Sequence, residues 1–329
     1  MTRRPQRPGT SLLEVLVGLG IMAVGAISAF VLFPLSTINV GRALLDDRTT
    51  TCAVTADGQL RDIHRQTAAL EMATANSGEL YFRALDNPGA VGVAGAPVLT
   101  ALDADRPSYP VIIDPMGYGA RNPPSRTAIG DGGETLIPRV NLNLLNGDNR
   151  LALRFCSQMD GLSYSEDGVA NAANPSELRE LRYNWLWVVQ RPVNRDRYNL
   201  RMQIVVFDKR AHLYAPPGSE AVATANFTAG TTTIDNVPQT AEVRKGSWVM
   251  DATMGTDGAG RPLRHAEFYR VVSVTDTGTS YTLEVHKPIT RPDGLGTLTA
   301  PVAHTGNLVV MPGVAEVFER PMLTAAPAP

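Results

Sequence analysis

The chain has 329 residues and a formal net charge of −2 at neutral pH, with 19% charged and 43% hydrophobic residues. A nearly neutral chain lacks the strongly basic surface with which proteins bind nucleic acid, so we expect no nucleic-acid partner. The 29 glycines and 24 prolines indicate frequent turns and a β-rich body.

The N-terminal region combines a basic leader with a long apolar run. Arg3, Arg4 and Arg7 lie within the first nine residues, which contain no acidic residue. Residues 15–41 carry no charge, so Glu14 is a single carboxylate at the start of the run. These 27 residues form a helix roughly 40 Å long, enough to cross a bilayer. Because positive charges stay on the cytoplasmic side, the rest of the chain is expected outside.

This arrangement resembles the N-terminus of type IV prepilins and type II secretion pseudopilins, which carry class III signal peptides. The resemblance rests on the basic leader, Gly9, the carboxylate at Glu14 and the apolar run. It implies that prepilin peptidase cuts between Gly9 and Thr10 and methylates the new N-terminus. It also implies that Glu14 pairs with the N-terminal amine of a neighbouring subunit during assembly.

The same resemblance implies the partners and the location of the protein. The partners are prepilin peptidase, other pilin or pseudopilin subunits and the inner membrane. The location is a single-pass inner-membrane protein with its C-terminal domain in the periplasm, and later the pilus or pseudopilus. The chain departs from the family pattern at Thr10, where Phe or Met is usual, and at Pro34, which replaces a proline expected at position 31.

Two other interpretations of the N-terminus are open. A secretory signal peptide has an apolar core of about 7–15 residues. The run here is longer, and its best cleavage site, at residues 26–28, matches poorly. A plain signal anchor, with Glu14 incidental, is the second alternative.

We predict an α+β fold in which a long N-terminal helix packs on an antiparallel sheet, with an additional small β-barrel or sandwich. The helix is expected over residues 10–74, crossing the membrane at about 15–41 and bending near Pro34, with an apolar stripe that includes Leu70. A variable, loop-rich region follows at 75–150, with short strand candidates at 79–85 and 110–113.

The β-rich part begins at residue 151. Residues 151–215 predict an antiparallel sheet whose aromatic face includes Trp185 and Trp187, which we assign to the core against the helix rather than to a ligand platform. Short strands separated by turns predict the barrel or sandwich at 218–306. A final strand at 307–320 is expected to return to the sheet, which makes the barrel an insertion, and 321–329 are expected to be a disordered tail.

Motifs for catalysis or cofactor binding are not found. The chain has no Cys-x-x-Cys, nucleophile elbow, phosphate loop or dinucleotide fingerprint, so we expect no enzyme activity, cofactor or metal. The five histidines are scattered and are interpreted as surface or hydrogen-bonded residues. Two carboxylate pairs are weak calcium candidates, namely Asp103 with Asp105 and Asp251 with Asp257. Cys52 and Cys156 are either two buried thiols or a disulfide.

The sequence therefore predicts a minor pilin or pseudopilin, a structural subunit assembled through its N-terminal helix. The alternative is a pilin-anchored binding or adhesion module whose C-terminal β domain recognises a surface or a secreted substrate.

Overall fold

The structure is a computed structural model that describes residues 12–73, 80–86, 104–114, 137–140, 155–158, 182–208, 210, 221–256, 262–290 and 302–324. The chain divides into two compact units, Met1–Thr50 and Thr51–Pro329. Two α-helices are described over their whole length, α1 (Leu12–Ala73) and α2 (Leu80–Asp86), and a short 3-10 helix covers Gln239–Ala241.

Thirteen strands are present among the described residues. Those of the first half are β1 (Val111–Ile113), β2 (Arg139–Val140), β3 (Tyr183–Gln190), β4 (Leu200–Asp208), β5 (Ala221–Ala229) and β6 (Thr233–Pro238). Those of the second half are β7 (Trp248–Asp251), β8 (Met254–Thr256), β9 (Pro262–Arg264), β10 (Glu267–Asp276), β11 (Ser280–Val285), β12 (Val302–Val310) and β13 (Val314–Leu323).

In the second unit, a five-stranded sheet is ordered β13-β4-β3-β1-β2. Its centre is the antiparallel β3–β4 pair, which runs in register from Tyr183 opposite Asp208 to Gln190 opposite Arg201. Strand β3 is buried along its whole length, as a continuous apolar strand between two packed layers should be.

One face of this sheet lies against the second half of α1. Trp187 is fully buried, and its Nε1 donates a hydrogen bond to the carbonyl of Ala56 on the helix at 3.0 Å. Ala53 and Ala56 are both fully buried, because small side chains let the helix backbone approach the tryptophans. The prediction that Leu70 belongs to the buried apolar stripe of the helix is wrong, because its side chain is 59% exposed.

The opposite face of the sheet lies against a closed barrel of six strands, ordered β10-β11-β6-β5-β12-β7. Leu186 and Val205 of the sheet share one apolar core with Met250, Phe268 and Val309 of the barrel. Because these barrel residues point outward, onto the sheet, the barrel covers an apolar face that would otherwise contact water.

The barrel interior is filled by a second apolar core. Its buried members include Phe227, Val249, Tyr269, Leu283 and Leu308. Small barrels are commonly filled by side chains in this way. A ligand of the barrel would consequently bind on its outer surface or at its ends.

The barrel is inserted between two paired strands of the sheet. β13 pairs antiparallel with β4, with Val314 opposite Phe207 and Leu323 opposite Leu200. At the same side of the fold, Ala221 at the start of the barrel lies opposite Val310 at its end. The sheet is thus built from strands outside 151–215 as well, since β1, β2 and β13 also belong to it.

Three predicted elements differ from the structure. Residues 79–85 were expected as a strand, but the helix α2 forms there, and all of its side chains that the structure describes are buried against the rest of the fold. The expected strand 307–320 is divided by a turn between β12 and β13, where Gly313 has a φ of +80° that favours glycine. A disordered tail was expected from residue 321, but residues 321–323 still belong to β13.

Candidate functional site: the apolar segment of α1

The first unit contains the apolar segment of α1, which we define as residues 12–40. Its large apolar side chains are between 52% and 79% exposed, apart from Val31, whose side chain lies outside the described set. They are Leu12, Leu13, Val15, Leu16, Val17, Leu19, Ile21, Met22, Val24, Ile27, Phe30, Leu32, Phe33, Leu35, Ile38 and Val40. An exposed apolar surface of this extent marks a site of contact with a membrane or with other proteins.

Glu14 lies in the first turn of α1 and is exposed among leucines and valines. A carboxylate at a helix N-terminus is favoured by the positive end of the helix dipole. Gly9 and Thr10, the residues of the predicted cleavage site, lie outside the described residues.

Two hydroxyl side chains of the apolar segment bond to the helix itself. Ser28 donates to the carbonyl of Val24 at 2.9 Å, and Thr37 donates to the carbonyl of Pro34 at 2.8 Å. Pro34 supplies no backbone N–H, yet α1 continues through it. These bonds satisfy hydroxyl groups that would have no hydrogen-bond partner in hydrocarbon.

Within the part of the chain that the structure describes, α1 is the one helix long and apolar enough to cross a membrane. Its last part, in the second unit, has a different surface. There Asp57 pairs with Arg61 at 2.9 Å and Asp62 with Arg65 at 3.2 Å, between side chains one turn apart on the helix.

Buried charges hold this last part of α1 to the β3–β4 connection. Glu71 of the helix pairs with Arg197, which also lies 3.3 Å from Asp86 of α2. Asp86 in turn pairs with Arg191, whose side chain is completely buried. Burial lowers the pKa of the Arg191 guanidinium, while the adjacent Asp86 carboxylate opposes that effect.

His64 belongs to the same buried region. Its Nε2 is 2.9 Å from the carbonyl of Tyr198, so Nε2 must carry the proton and donate it. Its Nδ1 then accepts from the hydroxyl of Tyr81 at 3.3 Å. Burial lowers the pKa of His64, so this histidine is neutral at pH 7 and fixes the helix by hydrogen bonds.

Other residues singled out by the sequence have structural environments. Cys52 and Cys156 are both buried thiols rather than a disulfide, and Cys52 Sγ donates to Gln158 Oε1 at 3.4 Å. Asp103 and Asp257 lie outside the described residues, while Asp105 is exposed and pairs with Arg195 at 3.1 Å. Among the described residues, no group of three or more His, Cys, Asp or Glu side chains is arranged to hold a metal ion.

The sequence did not predict that Asp251, His265 and His304 come together inside the barrel. His304 Nε2 is 3.1 Å from Asp251 Oδ2, and His265 Nε2 is 3.8 Å from the same oxygen. These residues are up to 53 positions apart in the chain and lie in different parts of the barrel. No local spacing therefore indicated their proximity.

Comparison with known proteins identifies no family. No protein-family model matches the chain, and no curated protein matches it. Among solved structures, a phage phi92 endosialidase is similar at 14% identity and a TM-score of 0.17, over 43% of this chain. The matched part spans 18% of that endosialidase chain, and a likeness this weak carries no argument about fold or function.

Proposed function

We propose that the chain is a minor pilin or minor pseudopilin, a structural subunit of a type IV pilus or type II secretion filament. The observation that carries the proposal is the exposed apolar segment of α1, which begins beside the single carboxylate Glu14. The basic leader and Gly9 that precede it in the sequence support the same interpretation.

The exposed area of the apolar segment requires a covering partner. Burying one large apolar side chain contributes about 1.5–3 kcal/mol, whereas the net stability of a folded domain is about 5–15 kcal/mol. Sixteen such side chains are exposed in the segment. We infer that lipid covers them before assembly and that helices of neighbouring subunits cover them in the filament.

Pairing of Glu14 with the next subunit would draw the apolar segment out of the bilayer and align it with its neighbour. A charged amine on the next subunit would form an ion pair with this carboxylate, which lowers the cost of holding it beside hydrocarbon. Cleavage between Gly9 and Thr10 would create that amine on Thr10, which makes Glu14 the fifth residue of the mature chain. The pairing then stabilises one axial position of each subunit relative to its neighbour.

The size of the second unit favours a low-copy subunit. This unit spans Thr51–Pro329 and contains a sheet with an inserted six-stranded barrel. A subunit that tiles a whole filament has to repeat at a short axial spacing, which a large body obstructs. We therefore place the protein among the minor subunits that prime assembly or lie near a filament end.

Membrane fractionation tests whether the apolar segment anchors the protein in the bilayer. We expect the full chain to remain with the membrane after alkaline carbonate and high-salt washes, because the apolar segment crosses the bilayer. A variant in which an ordinary secretory signal peptide replaces residues 1–41 should be soluble in the periplasm. Recovery of the full chain in the soluble fraction would contradict the proposal, since that segment would then be covered within the protein.

A further inference from the structure

One end of the barrel interior contains a cluster of buried ionisable side chains that the proposed function does not use. Asp251, the last residue of β7, lies opposite Glu267, the first residue of β10, and both carboxylates are fully or almost fully buried. His304 of β12 and His265, just before β10, complete the cluster. Charged side chains are almost never buried to this degree unless they are paired.

Both oxygens of Asp251 have donors from the protein. Its Oδ1 accepts from the backbone N–H of Thr253 at 3.1 Å and from the Thr253 hydroxyl. Its Oδ2 lies 3.1 Å from His304 Nε2 and 3.8 Å from His265 Nε2. The Asp251 carboxylate therefore lies between two imidazoles and a threonine that donates to it twice.

The two histidines are shielded from water. Each side chain is 8% exposed, and His304 stacks on Phe227 with the ring centroids 5.2 Å apart. The Nδ1 of His304 is buried and has no hydrogen-bond partner within the described part of the chain. His265 Nε2 is also 3.1 Å from the hydroxyl of Thr290. Burial lowers the pKa of His265, although the nearby Asp251 opposes this effect.

The other charged groups that face the histidines compensate one another. Glu267 pairs with Arg201 of β4 and with Lys287, which follows β11. Glu319 of β13 pairs with the same two cations. Tyr269 of β10 is neutral at physiological pH because burial raises its pKa. Asp251 therefore supplies the charge that neutralises one imidazolium, and a second imidazolium would have no carboxylate to balance it.

The cluster also bridges the pairing of β7 with β12, which we call the β7–β12 seam of the barrel. Strands β7 and β12 share three register pairs, from Asp251 opposite Leu308 to Val249 opposite Val310. By contrast, β12 shares nine register pairs with β5 on its other side. The bond from His304 to Asp251 crosses this seam, beside the backbone bond from the Ala252 N–H to the Asn307 carbonyl.

We propose that Asp251, His265 and His304 form an acid-sensitive latch that holds the β7–β12 seam closed at neutral pH and releases it when both imidazoles are protonated. Acid favours the open seam because burial lowers the pKa of His265, and opening the seam exposes this imidazole and restores its ordinary proton affinity. The open form then binds more protons than the closed form as the pH falls below about 6.5, so acid favours opening. This inference does not depend on the filament function.

Hydrogen–deuterium exchange of the full chain in mild detergent tests the latch. After correction for intrinsic exchange rates, we expect protection of residues 248–252 and 307–310 to fall about tenfold between pH 7.5 and pH 5, because the open form gains protons as the pH falls. Protection of the β3–β4 pair should change far less. The variants His265→Gln and His304→Gln should each remove most of the acid-induced loss.

His64→Gln is the matched control, because it removes a buried histidine that lies outside the barrel and should leave the acid response of the seam intact. Equal protection of the seam at both pH values would overturn the proposal, as would an acid response that persists in both barrel variants. If a variant does not fold, imidazole NMR of the wild-type protein decides. The latch requires that the imidazole of His265 titrate below its ordinary range, and titration of His265 near pH 6.5 would overturn it.

Discussion

Replacing Glu14 by glutamine should remove the protein from the filament fraction and leave the membrane-bound amount unchanged. Glutamine keeps the size and hydrogen-bonding capacity of the side chain but removes the charge that would pair with the N-terminal amine of the next subunit. The apolar segment that follows Glu14 is untouched, so insertion into the bilayer is preserved. The measurement compares the protein in sheared filaments with the protein in membranes by quantitative immunoblotting.

Asp46→Asn is the matched control for Glu14→Gln. Asp46 is also an exposed carboxylate on α1, but it lies beyond the apolar run. We expect this variant to enter filaments at the wild-type level. Normal incorporation of Glu14→Gln would show that the carboxylate is not required for assembly.

Replacing Trp187 by alanine should destabilise the second unit by about 3–5 kcal/mol, the usual cost of removing a buried aromatic side chain. Trp187 is fully buried between the sheet and α1, and its Nε1 bonds to Ala56. A loss of this size is a large fraction of the stability of a typical domain. Urea unfolding of the full chain in mild detergent, followed by circular dichroism, measures the free energy of unfolding.

The neighbouring Trp185 allows the hydrogen bond to be separated from the packing. Trp185 is 1% exposed on the same face, but its Nε1 has no hydrogen-bond partner within the described residues. Trp187→Phe should therefore cost about 0.5–1.5 kcal/mol more than Trp185→Phe, the net contribution of one hydrogen bond. Equal losses in the two phenylalanine variants would show that the bond to Ala56 adds nothing to stability.

The sequence predicted the elements whose pattern is long and regular. The helix expected over 10–74 is described from Leu12 to Ala73, and the antiparallel pair β3–β4 forms where an alternating aromatic face was seen. A small barrel or sandwich was also expected at 218–306, and a closed six-stranded barrel forms, although its strand β12 extends to Val310. These elements follow from periodicity, which needs no knowledge of distant contacts.

The elements that the sequence did not predict depend on distant contacts. Residues 79–85 formed a run too short to distinguish a strand from a helix, and α2 is fixed by contacts such as that between Phe82 and His64. Leu70 was expected in the buried stripe, whereas small residues such as Ala56 occupy it because the sheet supplies the bulky side chains.

The ionisable cluster of the barrel shows the same limit. Asp251 and His304 lie on strands that are neighbours only because the barrel closes. Gly306 on β12 allows this closure, since a Cβ at that position would overlap the hydroxyl of Thr253. None of these residues stands in a motif, so only the fold reveals their proximity.

The central claim is that the N-terminus is processed as in prepilins and that α1 then serves as an assembly helix. Intact mass and N-terminal sequence of the protein purified from its native membrane test this claim most directly. We predict a chain that starts at Thr10 and carries an N-terminal methyl group. An intact leader that begins at Met1 would contradict the claim and indicate a plain signal anchor, and a start near Ala29 would contradict it by indicating a secreted protein.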